Sequence, residues 1–239
     1  MPTLHLSVPE LIADRTNFLL QSRRAETETE PKLDGQEQEK GSEDSASSVL
    51  ANPGVSVGQL IRAAKLSAEF LSPGGIFECI VPCNTFHAPI IFDATIKSSG
   101  GITPVHMVME TVKHIRLTYP NIKNIGLMCT TATRSLRLYH DMLSTHGYIV
   151  CEVPEEDQSE LQRTIYDPSQ GIKAKSKTNW STTRFESYAQ KCVDLGAEVV
   201  ILGCTEIPIV LETFSVPLID PMVCGARALI RRTYPEKLL

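Results

Sequence analysis

Two kinds of apolar spacing alternate along residues 57–233. Short apolar runs predict strands at residues 76–81, 105–108, 124–129, 148–153, 199–202 and 217–219. Apolar residues at every third or fourth position predict helices at residues 57–71, 86–97, 110–119, 135–146, 157–166, 180–195, 207–214 and 222–233. Strands that alternate with helices through short loops are typical of an α/β fold, in which helices flank parallel sheets.

The N-terminal part has a different pattern. A short strand is predicted at residues 4–8 and one or two helical turns at residues 17–24. Residues 25–48 contain eight acidic and two basic side chains and almost no apolar ones, so burial cannot offset the entropy of ordering them. We expect a disordered acidic insert, with an acidic docking segment as the alternative.

Charge and cysteine content exclude several classes of protein. The net charge is −5, and residues 25–48 account for −6 of it, so the rest of the chain is nearly neutral and has no basic face for nucleic acid. No run of about 18 apolar residues or secretory signal is present, so no membrane association is expected. Seven cysteines, an odd number, lie mostly within apolar runs, which favours reduced thiols and a cytoplasmic location. Their spacing does not resemble a structural zinc site.

Cys83 and Cys204 share a sequence context. Each follows an apolar run and precedes small polar residues and a predicted helix, whose first N–H groups would favour a thiolate or a bound carboxylate. A free thiol has a pKa of about 8.5, which can be tuned for acid or base catalysis. Two such thiols could remove a proton from one face of a carbon and return one to the other. The alternative is that both are ordinary buried cysteines. The other five lack this context and are predicted to be packing residues: Cys79, Cys129, Cys151, Cys192 and Cys224.

Residues 82–87 (PCNTFH) and 203–208 (GCTEIP) resemble the paired signatures of the aspartate/glutamate racemase family, within the Asp/Glu/hydantoin racemase superfamily. The resemblance implies interconversion of L- and D-aspartate or glutamate, without pyridoxal phosphate or metal, with Cys83 and Cys204 as catalytic acid and base. It also implies two pseudo-symmetric α/β domains, residues 1–116 plus 217–239 and residues 117–216, with the active site in the cleft between them. The implied partners are a small acidic amino acid and, as in many members of the family, a second copy of the chain in a homodimer.

The same resemblance assigns substrate-binding residues. Residues 12–16 (IADRT) resemble a family segment whose arginine holds a substrate carboxylate. Arg15 is therefore the candidate for binding the side-chain carboxylate of the substrate. Lys173 is the second candidate, and Lys175 and Lys177 are nearby alternatives. Apart from the resemblance, Arg15 and Lys173 would be interpreted as surface charges. The remaining predicted contacts are polar residues of the two signatures and of residues 130–133: Asn84, Thr85, Thr130, Thr131, Thr133, Thr205 and Glu206.

One departure from the family pattern affects the functional hypothesis. Family members begin with a strand, a glycine-rich turn and a helix, whereas Met1 falls about where their second strand starts. We therefore expect the first N-terminal strand and helix to be missing. Two alternatives follow: a racemase-derived protein that is catalytically inactive, or a related two-cysteine isomerase or decarboxylase.

Overall fold

The protein contains a four-stranded parallel sheet. In the computed structural model, which describes Leu19, Ser22, residues 52–234 and Glu236, the strands are β1 (Asn124–Cys129), β2 (Ile149–Glu152), β3 (Val199–Gly203) and β4 (Leu218–Ile219). Their order in the sheet is β2-β1-β3-β4, and all three pairings are parallel. The α/β class with a parallel sheet flanked by helices is thus confirmed.

Alternate side chains of the central strands pack on opposite faces of the sheet, as the two-residue period of a strand requires. Val200 and Leu202 enter one core, whereas Val199 and Ile201 enter the other. Every residue of β3 is buried, as is usual for a central parallel strand. The sheet therefore holds the end of β3, and Cys204 directly after it, between two packed layers.

Helices cover both faces of the sheet. Within residues 52–234, and with those around Cys83 included, the α-helices are α1 (Pro53–Leu71), α2 (Pro89–Ser98), α3 (Met107–Thr118), α4 (Thr131–Ser135), α5 (His140–Thr145), α6 (Glu155–Tyr166), α7 (Ile172–Lys175), α8 (Asn179–Asp194), α9 (Ile207–Val210) and α10 (Pro221–Thr233). Gly196, directly after the helix predicted at residues 180–195, has a φ of +96°, a conformation that glycine adopts without strain.

The segment before Cys83 is less regular than predicted. Residues 76–81 do not form a continuous strand: the segment makes one isolated parallel bridge, between Ile80 and Val105. The strand predicted at residues 105–108 is likewise limited to that bridge, because His106 caps α3 and helix begins at Met107. The two segments bridge each other through Ile80 and Val105. A longer strand would require further backbone N–H and C=O groups to pair with.

Three predicted helices are shorter or broken. The helix predicted at residues 86–97 is a 3-10 turn, Asn84–His87, followed by α2, because Pro89 keeps Ala88 in an extended conformation. The helix predicted at residues 135–146 is interrupted between α4 and α5, where Arg137 has a φ of +53°. The helix predicted at residues 207–214 ends at Val210.

The last part of the described chain contacts both halves of the protein. β4 pairs with β3, whereas α10 packs against α3. A side chain at Gly225 of α10 would collide with Ile80, so helix and bridge are in close contact. The division into residues 1–116 plus 217–239 and residues 117–216 stays a prediction.

Some predictions lie outside the described residues. These are the strand at residues 4–8, most of the helical turns at residues 17–24, the acidic insert at residues 25–48 and the side chain of Arg15. Among the helices that the structure does describe, none is both long and apolar enough to span a bilayer.

Candidate functional site

Cys204 lies at the carboxyl end of β3. Gly203 precedes it and pairs with Cys129 at the end of β1. A Cβ atom at Gly203 would lie 2.8 Å from Cys129 Cβ and 3.0 Å from the Met128 carbonyl oxygen. The two strands can end side by side because residue 203 has no side chain, and this fixes the position from which Cys204 leaves the sheet.

Glu206 connects the Cys204 thiol to a lysine. The thiol donates to Glu206 Oε2 over 2.9 Å, and the Thr205 hydroxyl donates to the same oxygen over 3.0 Å. The other carboxylate oxygen, Oε1, lies 3.2 Å from Lys173 Nζ. Lys173 also lies over the ring of Tyr166, 4.5 Å from its centroid. Four predicted site residues, Lys173, Cys204, Thr205 and Glu206, therefore form one hydrogen-bonded group.

The charges of this group favour a thiol that is protonated at neutral pH. Burial raises the pKa of Cys204 well above its ordinary value, and the Glu206 carboxylate raises it further, whereas the Glu206 backbone N–H and Lys173 oppose the shift. Burial alone would raise the pKa of Glu206, but the hydrogen bond from Cys204 and the charge of Lys173 outweigh it and lower this pKa. The ground state is thus a thiol that donates to an ionised carboxylate.

Cys83 has different surroundings. It is half-buried, caps the 3-10 turn Asn84–His87, and its sulfur lies 3.3 Å from Thr85 Oγ1. Its side chain packs against the apolar cluster that contains Phe86 and Phe92. The helices expected to begin at the two cysteines are four-residue elements, so the dipole effect predicted from long helices is reduced.

Asn84 is held by a residue that the sequence did not single out. The Tyr139 hydroxyl donates to Asn84 Oδ1, and both side chains are buried. Within the described part of the chain, Asn84 Nδ2 has no hydrogen-bond partner. A buried amide donor without a partner is costly unless water or a ligand satisfies it. Next to Cys83, it is suited to bind a carboxylate.

Residues 130–133 form a separate hydrogen-bonded turn at the end of β1. Thr130 caps α4 through the Thr133 N–H, and the two hydroxyls lie 3.0 Å apart. The Thr131 N–H donates to Gln162 Oε1 over 3.0 Å. Gln158 binds the Cys129 carbonyl and accepts from Arg134, which holds the start of α4 against α6. The threonines thus lie at the same edge of the sheet as Cys204.

Several side chains at the site were missed or left open by sequence reasoning. Tyr139, Gln158, Gln162 and Tyr166 lie in predicted helical segments and have no motif that distinguishes them. The three candidate lysines are all exposed. Lys173 pairs with Glu206, whereas Lys177 Nζ lies 2.6 Å from Glu212 Oε1.

His87 is buried and lines a cleft of about 370 Å³, together with His106, Leu138 and Met142. Neither of its ring nitrogens has a well-oriented hydrogen-bond partner among the described residues, although the Val81 carbonyl faces the ring. Burial lowers the pKa of His87 to about 3, with a further contribution from His106. His87 is therefore neutral at neutral pH.

Comparison with known proteins gives the family. The profile of the Asp/Glu/Hydantoin racemase family matches residues 32–229, most of the chain and both cysteine signatures. The chain belongs to this family. An uncharacterized protein of Pectobacterium carotovorum subsp. carotovorum, encoded 3′ of pnlA, is 32% identical over 112 residues, which cover 46% of this chain and 67% of that protein.

Solved structures agree on the fold. An aspartate racemase from Picrophilus torridus is 22% identical with a TM-score of 0.54, and the alignment covers 72% of this chain and 69% of that one. An aspartate racemase homologue from Pyrococcus horikoshii OT3 is 20% identical with a TM-score of 0.52, and covers 92% and 93% of the two chains. At these identities the comparison concerns the fold of the protein.

Proposed function

We propose that the protein is a cofactor-independent racemase of aspartate or glutamate, in which Cys83 and Cys204 act as acid and base on opposite faces of the α-carbon. The observation that carries the proposal is the Cys204–Glu206–Lys173 group, which combines a thiol with a cation suited to an acidic substrate. Family membership supports amino-acid racemisation as the reaction class.

The proposed reaction moves two protons. A thiolate on one side takes the α-proton, which forms an S–H bond and leaves the C–H electron pair on the substrate. The thiol on the other side then gives its proton to the opposite face of the carbon, and its S–H electron pair stays on sulfur as a thiolate. The protein must stabilise the carbanion-like intermediate, and a donor such as Asn84 Nδ2 is suited to its carboxylate oxygens.

Substrate contacts are proposed by the same reasoning. Asn84, Thr85 and Thr205 would hold the α-carboxylate and amino group beside the two sulfurs, with Thr130, Thr131 and Thr133 at the edge of the sheet. Lys173, with Arg15, would bind the side-chain carboxylate. A cytoplasmic location is part of the proposal, because the cysteines are odd in number and lie mostly within apolar runs. The cleft between two domains and the homodimer are part of this proposal.

The decisive experiment uses deuterated water. The protein is incubated with L-aspartate and, separately, with L-glutamate, and chiral chromatography and mass spectrometry then measure the D-enantiomer and α-deuterium. The proposal expects both to appear with one of the two acids. Because enantiomers have equal free energies in an achiral solvent, kcat/KM must be equal in the two directions.

Matched controls make the result specific. Cys79→Ala and Cys151→Ala should retain racemisation, since these thiols belong to the packing residues, and burial raises the pKa of Cys79 to about 11. Binding of the amino acid without α-exchange would overturn the proposal in favour of an inactive, racemase-derived binding protein. Conversion of maleate, or loss of CO₂ from a substituted malonate, would instead favour the related isomerase or decarboxylase.

A further inference from the structure

Lys173 is paired with a carboxylate of the same chain. Its ammonium lies 3.2 Å from Glu206 Oε1, and the Glu206 carboxylate is chemically the same group as the side-chain carboxylate of the proposed substrate. The same ammonium also lies over the ring of Tyr166, 4.5 Å from its centroid. The cation needed for recognition is therefore neutralised by a residue of the chain itself.

Glu206 does not depend on Lys173 for its place. Its Oε2 accepts from both Cys204 and Thr205, so two donors hold the carboxylate when the lysine leaves. Lys173, by contrast, is 43% exposed and can turn towards solvent, while the Glu206 side chain is only 22% exposed. Glu206 is thus the partner with further hydrogen bonds, and the more exposed partner carries the cation.

We propose that Glu206 is an internal competitor for the substrate: Lys173 exchanges the Glu206 carboxylate for the side-chain carboxylate of the ligand. This inference rests on the proposed function for the role of Lys173. Glu206, which was predicted among the substrate contacts, occupies the ammonium that the ligand's carboxylate would use and so lowers the ligand's affinity. After the exchange, Glu206 still accepts the hydrogen bond from the Cys204 thiol but is no longer paired with Lys173. Binding of the ligand to Lys173 therefore changes the net charge beside the thiol.

The charges of the pair favour a Glu206 that competes with the ligand over one that only positions Lys173. A Lys–Glu pair has no net charge and gives little attraction to a dicarboxylate, whereas a free ammonium attracts it. Partly exposed pairs of this kind are weak, so the exchange is feasible for a ligand of ordinary affinity. A glutamine at residue 206 would keep a side-chain oxygen for Cys204 and Thr205 and would remove only the charge.

The test measures binding of achiral dicarboxylates, which cannot be racemised. Calorimetry gives the Kd of succinate and glutarate for the wild type, Glu206→Gln, Lys173→Met and the double variant. We expect Glu206→Gln to lower the Kd by about 2- to 5-fold, corresponding to up to about 1 kcal/mol for a partly exposed ion pair. Lys173→Met should raise the Kd, and Glu206→Gln should give no tightening in the Lys173→Met background.

Glu212→Gln is the matched control, because Glu212 pairs with Lys177 in the same way and its replacement should leave the Kd unchanged. An unchanged or higher Kd in Glu206→Gln would overturn the inference, as would equal tightening with and without Lys173. Binding to none of the proteins would also overturn it. Racemisation assays separate the two proposals: a racemase whose Glu206→Gln variant binds no tighter refutes only the competitor, and the expected binding pattern without racemisation refutes only the reaction.

Discussion

The two cysteine regions are built differently. Cys204 follows a fully buried central strand and donates to an ionised carboxylate that is paired with a lysine. Cys83 follows a segment with one backbone bridge and contacts a neutral threonine hydroxyl beside an apolar cluster. The pseudo-symmetry suggested by the sequence therefore concerns the order of residues, whereas the electrostatic surroundings of the two sulfurs are unlike.

In the proposed reaction, this difference would give the two sulfurs different tasks at neutral pH. Burial and Glu206 keep Cys204 protonated, so Cys204 is prepared to donate. The opposite direction requires Cys204 as a thiolate, which the negative carboxylate disfavours. Because kcat/KM must be equal in both directions, the difference should be visible in single-cysteine variants and in pH profiles instead.

Removal of either thiol gives the largest expected effect. Cys83→Ala and Cys204→Ala should each lose about 10²- to 10⁴-fold in racemisation, the range for a positioned acid or base. Each variant keeps one sulfur, so it should exchange the α-proton of one enantiomer only, and the two variants should select opposite enantiomers. Mass spectrometry of L- and D-substrate in deuterated water measures this. Full racemisation by either variant, or exchange of the same enantiomer by both, would contradict the two-sided arrangement.

The same variants should differ in pH dependence. In Cys83→Ala the remaining base is Cys204, whose pKa is raised by burial and then by Glu206. The thiolate fraction, and hence exchange, should increase as the pH rises from 7 towards 10. Adding Glu206→Gln removes one cause of the shift and should move this rise to lower pH; a shift to higher pH would contradict the assigned cause.

Gly203→Ala tests the sheet on the Cys204 side. The new Cβ would lie 2.8 Å from Cys129 Cβ, which forces the ends of β1 and β3 apart. We expect a loss of about 1–3 kcal/mol in the free energy of unfolding from overpacking, measured by urea denaturation. Displacement of Cys204 by about 1 Å could lower kcat by up to about 100-fold. Gly75→Ala, on the exposed loop before Cys83, is the control and should change neither quantity appreciably.

Tyr139→Phe tests the Cys83 side and should have a smaller effect. Without the tyrosine hydroxyl, the Asn84 amide can rotate and its Nδ2 is no longer aimed by Oδ1. Loss of one hydrogen bond, about 0.5–1.5 kcal/mol, should raise KM by about 2- to 10-fold with a smaller change in kcat. Tyr188→Phe removes a buried hydroxyl that contacts Thr164 within the α6–α8 core, and its KM should match the wild type. Equal effects of the two variants would show that packing, not orientation, is responsible.

As the pH falls, protonation linked to His87, in the Cys83 region, should lower the free energy of unfolding before protonation of Glu206 does. The folded-state pKa of His87 is about 3, below the ordinary 6.5, so the unfolded chain binds more protons between these values. Stability from the neutral His87 is complete above pH 6.5 and falls as the pH decreases, by at most about 1.4 kcal/mol per pH unit for one proton. Glu206, with its lowered pKa, contributes stability that is lost only below its ordinary value of 4.5. Urea titrations from pH 7 to 4 should show a shallower slope in His87→Gln than in His146→Gln, an exposed control; equal slopes would exclude His87 as the source.

The sequence was informative where the local pattern determines the structure. The strand at residues 124–129 was predicted with its observed bounds. Its apolar run and the polar residues on either side can be identified from the local sequence alone. The run 76–81 is just as apolar, yet whether it becomes a strand depends on backbone partners elsewhere in the chain. Periodicity also cannot detect the break at Arg137, where a non-glycine residue adopts a positive φ.

The site shows the same limit. Its motif residues could be proposed because they follow predicted strands, and the structure groups Cys204, Thr205 and Glu206 with Lys173, which is about thirty residues away in the sequence. Tyr139 could not have been found, because the hydrogen bond that gives it a role spans 55 residues. The proposal that Glu206 competes with the substrate instead of binding it likewise depends on the observed distance between Glu206 and Lys173.

The contact between Gly225 and Ile80 has a consequence for biosynthesis. Ile80 lies three residues before Cys83, and the helix that covers it, α10, is synthesised about 140 residues later. On the ribosome the sheet strands β1 to β3 can pair before α10 emerges, whereas the Cys83 region must wait with an uncovered apolar surface. The Cys204 half of the protein can therefore form earlier in translation than the Cys83 half, whose apolar surface is covered only when α10 has emerged.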